Sequence, residues 1–492
     1  MKILTVASEA TPFAKTGGLG DVIGSLPMAL ARLGHEVSVC LPRYRGMEFG
    51  SAVPTEVELT GTTTINGQDH PIAASSIAHR KRPITHYFIE NQYYFDRPEL
   101  YRNPATGVDY EDNDERFIFF NRAVLELVRQ LDWKPDIIHV HDWQAGLIPA
   151  YLKTSLSTDP FFERTRTVLT IHNLAYQGSF AKENFAHLGL PLELFYATAP
   201  FEFYDQVNFL KAAISYADKI TTVSPRYSRE IQTEEMGAGL DGVLKGRSAD
   251  LHGIINGVNY AIWSPSRDKN ISHTYYAANL SGKRIDKVDL VRESGLPVRE
   301  RTPLIGIISR LADQKGFDLI AEAADRIFAM DLQMIVLGTG EKKYHELFTK
   351  LQEKYPDKIK VYLTFNDKLA HRIEAGSDIF LMPSHYEPCG LNQMYSLKYG
   401  TLPVVREVGG LADTVRDVSE DTLDGNGFVF EEYTSDAMME ALSRAVELYK
   451  KTRVWTGLMK RAMKEDFSWD SSARQYISLF ERLVGSDRHT GY

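Results

Sequence analysis

Lys15, Gly17, Gly18 and Asp21 belong to the string Lys15-Thr16-Gly17-Gly18-Leu19-Gly20-Asp21, which separates an apolar strand candidate, Ile3–Ala7, from an apolar periodic run, Val22–Leu33. A strand, a glycine-rich loop and a helix start in that order make an anion site. Glycines let the backbone approach a phosphate, and the free N–H groups of a helix start favour negative charge. Many α/β proteins turn in this way without binding an anion, so the loop alone leaves a phosphate site and a plain turn equally open.

Three further clusters carry residue types suited to chemistry. Arg310 and Lys315 follow the apolar strand candidate Leu304–Ser309 and sit on one turn before a helix. Two cations there either neutralise a diphosphate leaving group or decorate a solvated loop. Glu387-Pro388-Cys389-Gly390-Leu391 links a strand ending at Met382 to a helix over 391–399. Glu387 is placed to accept hydrogen bonds from sugar hydroxyls or, on the plainer reading, to cap that helix. Cys389 has no local base to activate a thiol and reads as a small residue in a tight turn. The last cluster is His139-Val140-His141-Asp142 with His172-Asn173, each just past an apolar strand. Three histidines beside an aspartate suggest a metal, but neighbouring side chains on a strand end splay to opposite faces, which suits a tetrahedral site poorly. Hydrogen bonding to a polar substrate is the expectation, with His139 structural and no metal bound.

The elements that must position these clusters alternate as β-branched runs and helical patterns, the mark of α/β layers. In the first half the strand candidates are Ile3–Ala7, Glu36–Leu41, Ile84–Ile89, Asp136–Val140, Thr167–Ile171, Lys219–Val223 and Gly253–Ile255, with helices over Arg116–Leu131 and Gln206–Ala217. The pattern restarts at Leu304–Ser309 and continues through Met334–Leu337, Lys360–Leu363, Ile379–Met382, Val404–Arg406 and Gly427–Phe430. Each half is then a doubly wound sheet, with the seam near Asn256-Gly257-Val258-Asn259 and every cluster at a strand's carboxyl end, where such sheets bind ligands.

At 492 residues the chain calls for two or three domains. Lys and Arg total 56 against 65 Asp and Glu, a net charge of −9, which argues against nucleic acid or an anionic membrane as the main partner. Two cysteines exclude a disulfide framework and fit a reducing compartment. The N-terminus enters a strand directly, without a signal peptide, and no stretch of about 18 apolar residues occurs; a cytoplasmic location is expected.

Lys15 to Asp21, His141-Asp142-Trp143, His172-Asn173-Leu174-Ala175-Tyr176-Gln177-Gly178, Arg310 with Lys315, and Glu387 to Leu391 resemble, in that order, motifs of bacterial glycogen synthases and plant starch synthases of the ADP-glucose type. The similarity spans about residues 1 to 484. It implies a GT-B glycosyltransferase: two Rossmann-like doubly wound parallel-sheet domains facing across a deep cleft. Residues 1–256 would form the acceptor-side domain, 257–469 the nucleotide-sugar domain, and 470–492 a helix crossing back to the first domain plus a solvated tail. The implied reaction is retaining transfer of glucose from ADP-glucose to the non-reducing 4-hydroxyl of an α-1,4-glucan such as glycogen, with no cofactor. The same resemblance gives Lys15, Gly17 and Gly18 the donor phosphates from one domain, and Arg310 and Lys315 the same diphosphate from the other. Glu387 with Cys389, Gly390 and Leu391 would grip the glucose. Asp142 and His172 would face the reacting carbon, with Asn173 beside them; Glu9, Asp21, Tyr101 and Tyr395 complete the donor contacts. Tyr395 stands where many sugar-nucleotide transferases place a second glutamate, as it does in the synthases. Departures from the family are His385 for arginine, Val408 for threonine and Gln144 for histidine. Three alternatives remain: a GT-B glucosyltransferase using UDP-glucose or another acceptor; an α-glucan phosphorylase, which would need pyridoxal phosphate and whose cofactor-lysine motif is not seen; and a glucan- or nucleotide-binding protein without activity.

Overall fold

Runs buried on both faces become parallel strands, because each face must be covered by helices. In the computed structural model, which describes residues 1–79, 84–419 and 422–485, the chain divides into two units. The first takes Met1–Val223, Ser228–Gly257 and the closing helix Trp469–Gly485; the second takes Ser224–Tyr227 and Val258–Ser468.

The first unit holds a nine-stranded sheet. Seven strands are parallel, in the spatial order Ile84–Glu90, Glu36–Pro42, Lys2–Val6, Ile137–His141, Arg166–Ile171, Lys219–Thr222 and Leu251–Gly253. Two antiparallel strands, Ala73–Ala78 and Thr55–Val57, extend one edge. In the second unit all six strands are parallel, in the order Ile359–Tyr362, Gln333–Leu337, Leu304–Ile308, Ile379–Met382, Leu402–Arg406 and Phe428–Phe430. Numbered along the chain, both parallel sheets run third, second, first, fourth, fifth, sixth, and that of the first unit adds its seventh strand beyond the sixth. Each therefore reverses direction between its first and fourth strands, the crevice where doubly wound sheets receive ligands.

The closing helix belongs to the first unit's core. Trp469, Ala473, Tyr476, Leu479 and Phe480 are buried with Ile3, Val37, Ile137 and Val168. Ser472 Oγ donates to the Ile255 carbonyl at 2.6 Å, and Arg32 pairs with Asp470 at 2.6 Å.

Several expected elements differ. The run Val22–Leu33 is two helices, Gly18–Ile23 and Leu26–Arg32, because Gly24-Ser25 ends the first and Pro27 suits only the first turn of the second. The stretch expected as helix over Gln206–Ala217 begins as the strand Gln206–Asn208. Asn208 then caps the helix Phe209–Tyr216, its side chain accepting from the Lys211 N–H at 2.7 Å. The strand expected at Gly253–Ile255 lies at Leu251–Gly253. An additional helix, Ser281–Glu293, buries Lys283 and Lys287, whose charged letters read as surface. The tail expected to be solvated falls, over 486–492, outside the described residues. No described helix is long and apolar enough to cross a membrane.

Candidate active site: two half-sites at the switch points

In the first unit the glycine loop follows the first strand, and Asp142 and His172 follow the fourth and fifth. The loop's N–H groups are partly taken by the chain itself. Buried Glu9 accepts from the Thr16 N–H at 2.6 Å, the Thr16 hydroxyl at 2.6 Å, the Gly17 N–H at 3.3 Å and the Tyr101 hydroxyl at 2.8 Å. Tyr101 also meets Ser8 Oγ at 2.6 Å, so it braces Glu9 from the far side of the loop. Lys15 remains at the surface, paired with Asp21 at 2.8 Å, while Gly18 opens the short helix.

Asp142 is a non-glycine residue in left-handed backbone, φ 55°. That conformation is strained and persists where the surroundings demand it. Its carboxyl accepts the His172 N–H at 2.7 Å and also the Asn173 N–H, tying together the two strand ends. Burial pushes its pKa up to about 7, against the two N–H groups that oppose the shift. Asn173 closes its own turn, Oδ1 accepting from the Ala175 N–H at 3.1 Å. His139 and His141, two residues apart, share one face of the strand with rings 4.1 Å apart, whereas the expected splaying applies to adjacent residues only. His139 is buried, with Nε2 2.6 Å from Thr170 Oγ1. Among the described residues no three His, Cys, Asp or Glu side chains are grouped to hold a metal ion.

In the second unit Lys315 and Glu387, 72 residues apart, form a pair at 2.6 Å, and Ser384 Oγ donates to the same carboxylate at 3.1 Å. Two backbone links align their loops: the His385 N–H donates to the Gln314 carbonyl at 2.8 Å, and Gln314 Nε2 to the Tyr386 carbonyl at 3.1 Å. Glycines permit this approach. Gly316 has φ 71°, and a Cβ there would lie 1.9 Å from the Pro383 carbonyl; at Gly409, φ 42°, it would lie 2.0 Å from that of Glu387. Arg310 is exposed; its carbonyl accepts from Ser309 Oγ at 2.6 Å, and its guanidinium makes no hydrogen bond or ion pair among the described residues. Cys389 is buried beside Gly390, which has φ 70°, and Leu391 caps the helix Asn392–Tyr399. Tyr395 on that helix is also buried, stacked at 4.1 Å on Trp263, which stacks at 3.7 Å on His371.

The structure thus gathers Glu9, Lys15, Gly17, Asp21 and Tyr101 around one loop, Asp142, His172 and Asn173 around a second turn, and Lys315, Glu387, Cys389 and Gly390 around a third. It sets Tyr395 into a ring stack. One contact and one residue escaped sequence reasoning. His141 Nδ1 lies 2.9 Å from His172 Nε2, a contact that its two-residue spacing from His139 hinted at. Phe365 is 78 % exposed just beyond the strand Ile359–Tyr362, an aromatic side chain offered at a sheet's carboxyl end.

Known proteins share this arrangement. Residues 2–246 match the starch synthase catalytic domain family, and residues 293–457 match glycosyl transferases group 1. Glycogen synthase 2 of Geobacter sulfurreducens is 46% identical over 99% of this chain and 100% of its own length. The glycogen synthase of Thermotoga maritima is 45% identical over 98% of this chain and 99% of its own. The catalytic domain of starch synthase IV from Arabidopsis thaliana, solved bound to ADP and acarbose, superposes with a TM-score of 0.90 at 34% identity, covering 98% of this chain and 99% of that one. Sucrose-phosphate synthase from Thermosynechococcus elongatus, at 16% identity and a TM-score of 0.61, shares the fold. With full-length identity of this order to glycogen synthases and two doubly wound units, the chain belongs to the glycogen synthase and starch synthase family of GT-B glycosyltransferases.

Proposed function

We propose that this glycosyltransferase moves glucose from ADP-glucose to the non-reducing 4-hydroxyl of an α-1,4-glucan, retaining anomeric configuration and releasing ADP. The observation that carries the reading is the pairing of cations with carboxylates at both switch points, in a chain whose 34%-identical structural relative was solved with ADP and acarbose bound. Lys15 on the first unit, and Arg310 with Lys315 on the second, each offer positive charge of the kind that neutralises a diphosphate as its bond to glucose breaks. The Lys315–Glu387 pair holds both side chains ready: phosphate oxygens take the ammonium, and sugar hydroxyls take the carboxylate that it leaves. Gly18 and the backbone at Cys389, Gly390 and Leu391 approach the ligand closely, and Phe365 offers a face on which a base stacks.

Glycosidases that retain configuration use a carboxylate nucleophile with a second carboxyl group nearby. Asp142 is a poor nucleophile, since its oxygens already accept N–H groups of His172 and Asn173 and burial favours its protonated form. Deprotonation of the acceptor hydroxyl falls instead to the departing phosphate. Asp142 shapes the turn, and His172 faces the sugar. Exclusion of water then decides transfer against hydrolysis. Both cysteines are buried and free, which supports a reducing compartment such as the cytosol.

The test is incorporation of label into glycogen from ADP-glucose and from UDP-glucose in parallel, without added metal. Much faster incorporation from ADP-glucose supports the reading. Preference for UDP-glucose replaces the donor and implicates His385 and Val408, and no incorporation from either rejects the reading.

A further inference from the structure

Behind His172 runs a row of buried rings for which the reaction above has no use. His141 Nδ1 faces His172 Nε2 at 2.9 Å, with the rings 5.2 Å apart. His139 lies against His141 and touches Tyr476 at 5.2 Å and Phe480 at 5.5 Å, both on the closing helix. His139 and His141 are 0% exposed. Burial lowers the basicity of all three imidazoles, so each is neutral near pH 7.

A neutral imidazole has one N–H and one bare nitrogen, and the partner of each nitrogen decides which is which. His141 Nε2 is buried with no hydrogen-bond partner among the described residues. Buried N–H groups are left unpaired more rarely than acceptors are, so the bare nitrogen belongs at Nε2 and the hydrogen at Nδ1. His141 then donates to His172 Nε2. His172 must carry its own hydrogen on Nδ1, which has no protein partner among the described residues, on a side chain that is only half-buried.

We propose that His141 is a positioning residue: it locks His172 as the Nδ1–H tautomer and presents that N–H to a hydroxyl of the transferred sugar, while the closing helix, through His139, keeps His141 in place. The part about the sugar rests on the function proposed above; the tautomer does not.

Nitrogen NMR of the full chain, with histidine labelled at both ring nitrogens, reads the tautomer directly, and His172→Gln identifies the signal. A hydrogen on His172 Nδ1 and a bare His172 Nε2 are expected; the opposite assignment overturns the proposal. Kinetics supply the second arm. The side-chain amide of His141→Asn places an N–H close to the native Nδ1, so kcat stays close to that of the unmutated chain. His141→Leu removes the donor, and kcat falls about tenfold to a hundredfold while KM for the glucan holds. Equal losses in the two variants, or none in His141→Leu, overturn the positioning role. If His141→Leu fails to fold, the NMR assignment on the unmutated chain still decides. Failure of glucose transfer from either donor sinks the proposed function and leaves the tautomer result standing.

Discussion

The two half-sites occupy the same place in the same topology and are built on opposite principles. In the first unit the cation is at the surface: the side chains of Lys15 and Asp21 are 38% and 32% exposed. The groups buried behind it, Asp142 and the histidines, are ones whose charged forms burial disfavours. In the second unit the pair is drawn inward, Glu387 buried and Lys315 half-buried, with side chains 8% and 17% exposed. An exposed pair contributes at most about 1 kcal/mol to stability. A buried pair, once broken, leaves a charge in low dielectric at a cost of about 3–5 kcal/mol. Function and stability are therefore separable at Lys15 and fused at Lys315.

The widest test of that contrast is Lys315→Ala. We expect transfer to be nearly abolished and the second unit to lose about 3–5 kcal/mol, because Glu387 is left buried without its cation. The double variant Lys315→Met with Glu387→Leu restores most of the stability and none of the activity. Denaturant unfolding alongside the transfer assay checks both, and unchanged stability in Lys315→Ala removes the distinction between the half-sites.

Lys15→Ala is the counterpart. Loss of one preorganised charge at a developing negative charge costs on the order of 10²–10³ in kcat, while stability shifts by less than about 1 kcal/mol. Arg310→Ala, which removes an exposed guanidinium without a partner among the described residues, follows Lys15→Ala rather than Lys315→Ala. A near-normal rate in either variant undoes its assignment to the phosphates.

This separation was only half legible in the sequence. The parallel strands were, because apolar β-branched runs such as Leu304–Ile308 and Ile137–His141 are buried on both faces and have no other reading. The glycine loop, Arg310, Lys315 and Glu387 stood out as candidates, since each follows such a run. What one-dimensional order hides is closure over distance. Lys315 meets Glu387 across 72 residues, and the reason for Gly409 is the carbonyl of Glu387, which no local pattern announces. Glu9 lies next to the loop in sequence, yet its capture of the Thr16 and Gly17 N–H groups depends on how the turn closes. The edge strands Thr55–Val57 and Ala73–Ala78 were missed because one-sided, polar segments carry little of the apolar signal that marks a central strand.

The units also differ in how they answer pH. Burial holds His35, His86, His139, His141, His172 and His252 below the ordinary 6.5, and all six lie in the first unit. Below 6.5 the unfolded chain takes up protons that the folded unit refuses until about 3 at His86, His139 and His172. The unfolded state thus binds more protons across that window, and the first unit loses stability as pH falls through it. Asp142 opposes this, keeping a proton up to about 7 that the unfolded chain releases at 3.8, and burial raises Asp114 in the same direction, but they are two groups against six. In the second unit Glu374 goes the other way. Burial raises it from 4.5 to about 8, so the folded state holds the extra proton in between and stability falls as pH rises. Hydrogen exchange, corrected for its intrinsic pH dependence, should show Ile137–His141 losing protection from pH 7 to 5 while Leu304–Ile308 does not. Parallel loss in both strands contradicts the division.

The smallest effect is the most discriminating within the first half-site. Tyr101 reaches Glu9 at 2.8 Å, and Glu9 holds the loop that carries Lys15. As a brace, Tyr101 acts through a carboxylate that keeps three other hydrogen bonds, to the Thr16 N–H, the Thr16 hydroxyl and the Gly17 N–H. Tyr101→Phe then costs about 1 kcal/mol, less than tenfold in kcat/KM. Adding Thr16→Val, which removes the second hydroxyl on Glu9, should cost more than the two single changes summed, because each leaves the carboxylate more dependent on the other. A phenol that touches the donor directly predicts a different result: a loss in Tyr101→Phe close to that of Lys15→Ala, and simple additivity with Thr16→Val. The double-mutant cycle therefore decides whether the first half-site ends at Lys15 or extends to Tyr101.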